Sequence, residues 1–261
     1  MGNKKKIGSV FFVAILVFSI FATIPITTAS PDDVIYVPDD YPTIQEAVNA
    51  ASDGDTIIVR NGTYYENVVL NKTLTLQGED MPMIDAQAMG HAIEITSSNC
   101  AIRGFRIVNA SRDRPYWNSG IKIEWASNLI IEDNIIENNS EGIRFVGESD
   151  NNMIRYNKFC KTKCIGIRNP YVYSTNNTIV NNKFYDSGWW GIQISGTNHV
   201  ISNNTCENSD IALYASNSEL TNNTFRDCGV SVGNPTYTYN NEIVPYDPYY
   251  CLLYTSPSPR D

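Results

Sequence analysis

Two short phrases of apolar and polar positions recur along the chain. The first is Gly, apolar, any residue, apolar. It reads GIKI at 120–123, GIRF at 142–145, GIQI at 191–194 and GVSV at 229–232, with weaker copies AIEI at 92–95, GIRN at 166–169 and DIAL at 210–213. The second is an apolar residue, two variable residues, Asn, any residue and an apolar residue. It reads Ile131, Asn134, Ile136; Ile154, Asn157, Phe159; Ile179, Asn182, Phe184; Ile201, Asn204, Cys206; and Leu220, Asn223, Phe225. The earliest copy, Ile102, Phe105 and Ile107, has Phe in the Asn place. Apolar residues separated by one position share a face of a strand. No helical stretch lies between the phrases, which excludes a βαβ sheet. The marked Asn residues are 23, 25, 22 and 19 residues apart. A repeat of that length holds three short strands with their turns, and predicts an all-β chain coiled as a right-handed parallel β-helix.

Coils of such a solenoid sit about 4.8 Å apart, so equivalent residues form columns. Asn134, Asn157, Asn182, Asn204 and Asn223 are then expected to stack as a structural ladder, amide on amide, satisfying the turn backbone. The phrase-opening Gly residues are expected to allow a tight turn. The residue between the two apolar positions of the first phrase must face outward. Read up the stack, that column is Glu94, Lys122, Arg144, Arg168, Gln193, Ala212 and Ser231.

The beginning has a different period. Thr43-Ile44-Gln45-Glu46 is a capping box, and Ile44, Ala47, Val48 and Ala51 follow helical spacing. Residues 30–53 therefore predict an opening strand and a short helix that covers the first coil, followed by strands at 56–59, 67–70 and 74–76. Before them, Lys4, Lys5 and Lys6 precede an apolar run from Ile7 to Ile24 and the small-residue site Thr27-Thr28-Ala29, which describes a secretory signal peptide over residues 1–29. Repeats are expected over 54–250. Residues 251–261, CLLYTSPSPRD, break the pattern and read as a translated sequencing adapter, so a natural chain continuing past residue 250 is expected.

Charge narrows the class. The chain has 19 basic and 28 acidic residues, a net of −9; setting aside Lys4, Lys5, Lys6, Arg260 and Asp261 leaves 15 against 27, or −12. That acidity argues against nucleic acid as a partner and suits a secreted or cell-surface protein, with a membrane engaged only through an uncleaved signal segment. Cys100, Cys160, Cys164, Cys206 and Cys228 lie in the repeats, an odd number in a compartment that permits disulfides. Asn-x-Ser/Thr sequons begin at Asn61, Asn71, Asn109, Asn138, Asn176, Asn203 and Asn222.

Residues 35–80, IYVPDDYPTIQEAVNAASDGDTIIVRNGTYYENVVLNKTLTLQGED, resemble the opening segment of the NosD-like, or CASH-type, β-helix family. Such segments are frequent in archaeal cell-surface proteins, and the later repeats resemble the same family, so the resemblance covers about residues 34–232. It implies a pectate-lyase-like solenoid. That architecture hosts binding proteins, lyases, hydrolases and epimerases alike, so it implies no one activity.

The outward column supplies the main candidate chemistry. Lys122, Arg144, Arg168 and Gln193 occupy successive coils, with Trp125 and Tyr171 just after the phrase and Trp117, Trp189 and Trp190 just before it. Aromatic faces pack on sugar C–H faces and guanidinium forks match carboxylates, so an acidic glycan is the expected ligand, a polysaccharide or cell-surface glycan. The competing expectation is neutralisation of the stripe by Glu124, Glu141, Glu148 or Asp150. A lyase acting on uronate polymers would use Arg144 or Arg168 as base, with Ca²⁺ held by Glu124, Glu141 and Asp186. A hydrolase needs paired Asp residues, and Asp32-Asp33 and Asp39-Asp40 precede the first coil. An epimerase reading finds no Asp-Pro-His. The family resemblance also implies copper delivery. The weak ligand candidates are Cys160, Cys164 and His91, with His199 several coils away and Met81 and Met83 near His91. No cofactor is required by the binding reading.

Overall fold

The computed structural model describes residues 33–110, 118–171, 173–215, 217–232, 237–244 and 253–255. Strands one coil apart pair in parallel throughout, and each coil contributes one short strand to each of three faces. The first sheet stacks Val68–Leu70, Ile93–Ile95, Ser119–Glu124, Glu141–Val146, Ile165–Asn169 and Trp190–Ile194. The second is a ten-stranded sheet from Val34–Val37 to Tyr237–Tyr239. The third runs from Thr63–Tyr64 through Ile135–Glu137, Lys158–Cys160 and Lys183–Tyr185. Thr205–Ala215 serves both the third and the first sheet without a break. Leu253–Thr255 pairs with Val230–Val232 as a further strand of the first sheet, although the repeat phrase is absent there.

The alternation of each phrase becomes a burial pattern. In Ser119–Glu124, Ile121 and Ile123 are buried while Lys122 and Glu124 are partly exposed. Ile57, Leu76, Ile102, Ile131, Ile154, Ile179, Ile201 and Leu220 form one inward column of the second sheet. Phe159 and Phe184 stack in the third at 4.6 Å and 4°. Removing these side chains from water on stacking is the main stabilising term.

Turns are written in a fixed two-residue form: a residue in the left-handed region, then an inward-facing one. At the corner between the second and third sheets, after Gly104, the left-handed residues are Asp133, Tyr156, Asn181, Asn203, Asn222 and Asn240. Asn dominates because its short amide tolerates this region. The inward residues that follow are the predicted ladder. Each side-chain amide donates to the next Asn Oδ1 at 3.0–3.2 Å, from Asn134 through Asn157, Asn182, Asn204 and Asn223 to Asn241. Asn241 is a rung that the sequence phrases did not reach.

A second ladder occupies the corner between the first and second sheets. Leu129 N–H donates to Asn152 Oδ1, Asn152 N–H to Asn177 Oδ1, and Asn177 N–H to His199 Nδ1. His199 thus takes an Asn place, its Nε2 directed at Ser195 O at 3.0 Å. The other left-handed residues at such corners include Asn109 and Asn138 at one and Asn128, Asn151, Asn176 and Asn198 at another.

The Gly prediction needs correcting. Gly120, Gly142 and Gly166 do not sit at left-handed positions; they sit where the chain presses on the core. A Cβ on Gly142 would lie 2.6 Å from the Phe159 ring and closer still to Gly166 O. Small size, not backbone freedom, is what these positions require.

The opening helix, Ile44–Ala50, is capped as predicted, with Glu46 N–H donating to Thr43 Oγ1 at 3.2 Å. Its ends are completed by residues of the following coil. Glu66 accepts from Ile44 N–H and Gln45 N–H at 3.0 Å each, and Lys72 Nζ donates to Val48, Asn49 and Ala51 carbonyls. Gln45 also bonds both backbone groups of Val69, so a side-chain amide replaces a neighbouring strand at the open edge.

Candidate functional site

The first sheet brings Glu94, Lys122, Arg144, Arg168 and Gln193 into one register. Above Gln193 the column continues with Tyr214, not Ala212, and then Ser231. Ala212 falls at the level of Gly191, so the phrase in that coil begins two residues later than its sequence suggests.

Charges in this row are paired within it. Lys122 Nζ lies 2.9 Å from Glu94 and 3.0 Å from Glu124. Burial works against the Lys122 ammonium, but the two carboxylates outweigh it and raise its pKa. The Lys122 hydrogen bond in turn holds Glu124 below its usual range. Over the next two coils, Arg168 Nη1 lies 2.9 Å from Glu141 Oε1, and Arg144 Nε lies 3.8 Å from Glu141 Oε2. Glu141 is fully buried, and burial pushes its carboxyl upward against the pull of both arginines. Lys122 therefore meets two carboxylates, and Glu141 meets two guanidiniums.

The aromatics stand at the edges. Trp125 is 66% exposed with φ 52°, an uncommon conformation for a bulky residue. Its ring lies flat on Gly147, where φ is +82° and any Cβ would overlap the indole. Trp190 is in register with Ile165 at the opposite edge, and Trp189 meets it edge-to-face at 6.4 Å. Tyr171 is half-buried. Trp117 lies outside the described residues.

The sequence profile described as periplasmic copper-binding protein (NosD) matches residues 48–244. The chain belongs to the NosD family. A cell surface glycoprotein of Methanothermus fervidus is 26% identical over 77% of this chain and 45% of its own length, so the chain spans under half of that relative. Pectate lyase Pel9A shares the solenoid at a TM-score of 0.54 with 13% identity, over 82% of this chain and 79% of that one. The tailspike of E. coli bacteriophage HK620 does so at 0.50 with 13% identity, over 80% and 46%. Both show the fold alone.

The NosD family description raises the question of copper, and the described residues do not fit a copper centre. Both nitrogens of His199 are used inside the turn. His91 Nδ1 accepts from Ser119 N–H at 3.0 Å. Cys206 takes a Phe place in the core, and burial raises the Cys160 thiol. Among the described residues no group of three or more His, Cys, Asp or Glu side chains could hold a metal, and that includes Glu124, Glu141 and Asp186 as a Ca²⁺ set. As a base, Arg168 would take up its role by depriving buried Glu141 of its cation.

The histidines of this NosD chain carry a pH prediction. Burial, then the Lys122 and Arg144 charges, lowers His91 to about 4, and burial lowers His199. A folded-state value below the ordinary 6.5 means that stability from the neutral ring is complete above pH 6.5 and is lost as pH falls toward the folded value. For His91 the interval corresponds to roughly 3 kcal/mol, reduced to ~1–2 kcal/mol for a ring still partly open to solvent. Urea unfolding at pH 7 and pH 4.5 should show His199→Asn, which restores the ladder residue, losing less stability than wild type. An equal loss in both would remove His199 from the acid response.

Proposed function

We propose that the protein is a cell-surface β-helix that binds an acidic carbohydrate along the outer face of its first sheet. The observation that carries this reading is Trp125, an exposed indole held flat by a strained backbone beside a row of planar polar side chains. Proteins keep such strain at functional positions. The guanidinium planes of Arg144 and Arg168, in register on successive coils, suit an acidic sugar at the upper half, one carboxylate bridging two coils rather than a polymer tracking the whole row. Family membership and the cell-surface relative support the location. Trp125→Ala and Arg144→Gln are each expected to weaken polygalacturonate binding about three- to tenfold at low salt, with thermal unfolding little changed in Trp125→Ala. Unchanged affinity in both variants would sink the reading.

A second reading rests on Glu141. A buried carboxyl shifted upward beside two guanidiniums on an exposed face suits proton transfer, as in a lyase acting on uronate polymers. It requires release of unsaturated chain ends from a uronate polymer, abolished by Glu141→Gln.

A further inference from the structure

The third sheet carries a second charged surface. Arg106, Ile135, Lys158, Lys183 and Thr205 form one outward column, and Glu137, Cys160, Tyr185 and Glu207 the next. The charges at its two ends are matched: Arg106 pairs with Glu137, and Arg226 Nη1 lies 2.9 Å from Glu207 Oε1. Between them Lys158 and Lys183 are exposed and directly stacked on successive coils, and among the described residues neither has a carboxylate within ion-pair distance. Lys161, exposed at the adjoining turn, adds a third ammonium. The acidic group at the same turn one coil on, Asp186, accepts from Asn208 Nδ2 at 3.3 Å.

Like charges placed opposite each other on neighbouring strands repel. A chain with net charge −9 has carboxylates in excess, yet none among the described residues forms an ion pair with these two lysines. Aromatic faces adjoin them. The Lys158 ammonium lies 5.5 Å from the Tyr185 ring centroid, and Tyr156, 54% exposed with φ 56°, fills a turn place that holds Asp133, Asn181, Asn203, Asn222 or Asn240 in the other later coils. The signal in the sequence is the repeated Asn-Lys-Phe at 157–159 and 182–184.

We propose that this face binds an anionic polysaccharide, whose carboxylates meet Lys158 and Lys183 and whose sugar rings lie on Tyr156 and Tyr185. The surface is separate from the first-sheet row, and occupancy of both would let one molecule bridge two polymer chains. The test titrates the full chain, Lys158→Gln/Lys183→Gln and Trp125→Ala against polygalacturonate, neutral dextran and duplex DNA at two salt concentrations. The lysine double variant should bind polygalacturonate roughly tenfold more weakly, with a flatter salt dependence and an unfolding midpoint unchanged or raised. Loss in Trp125→Ala alone would overturn this proposal and keep the first-sheet reading; loss in the lysine variant alone would do the reverse. DNA or dextran bound as tightly as polygalacturonate, or no binding by wild type, would overturn the assignment to an anionic polysaccharide.

Discussion

Asn182→Leu is expected to lower the unfolding free energy by about 3–5 kcal/mol, the largest effect of any single ladder substitution. Asn182 is fully buried and sits mid-stack. Its Oδ1 accepts from Asn157 N–H at 2.9 Å and from Asn157 Nδ2 at 3.1 Å. Its Nδ2 donates to Ile154 O at 2.8 Å, Val180 O at 3.1 Å and Asn204 Oδ1 at 3.2 Å. Leucine has similar volume but leaves the Asn157 backbone N–H buried without its acceptor and takes the side-chain donor away from the Ile154 carbonyl. Asp would accept but could not donate, and would bring a charge into the stack. The half-buried terminal rung Asn241 should cost only about 1 kcal/mol on the same substitution. Equilibrium urea unfolding of the two variants checks the contrast; equal small losses would mean that the ladder follows the fold without holding it.

Gly142→Ala should destabilise by about 2–3 kcal/mol even though alanine is the smallest possible addition. The new methyl meets the Phe159 ring on one side and a backbone carbonyl of the next coil on the other. A ring can turn away, but a carbonyl in a parallel ladder cannot leave without opening the strand pair Glu141–Val146 and Ile165–Asn169. Phe159→Leu in the Gly142→Ala background should therefore recover part of the loss and not all of it, in a double-mutant cycle followed by thermal unfolding. Full recovery would place the whole strain on the ring.

Much of this architecture is legible in the sequence because a solenoid writes itself locally. Each coil repeats the same apolar spacing and the same Asn, so the strands, the ladder and the outward column of Lys122, Arg144 and Arg168 follow from the phrases alone. The slip at 210–213 shows the limit. The third-to-first-sheet corner is replaced there by continuous strand, with register irregularities against the next coil, so counting from the preceding turn misplaces the phrase. Ion pairing was legible only as alternatives. Glu141 reaches Arg168 across 27 residues and Glu94 reaches Lys122 across 28, and which carboxylate meets which cation depends on register and rotamer between coils. His199 was hidden for another reason: imidazole can present the same acceptor as an amide, so a ladder place can be filled by a residue that reads as a metal ligand.

The turn form has a consequence for how glycosylation motifs are read in such chains. A left-handed Asn, an inward Asn and a strand-opening Thr spell Asn-x-Thr, as at Asn176, Asn203 and Asn222, and Asn109 and Asn138 begin sequons at left-handed positions too. Acceptor motifs in this fold thus arise from backbone geometry before any enzyme selects them. The same geometry then sorts them: Asn109 Nδ2 donates to Asp85 and Asn138 Nδ2 to Asn109, while Asn176, Asn203 and Asn222 point outward at exposed corners. Counting sequons in a solenoid measures its turns, and only their hydrogen bonds say which amides remain open to a sugar.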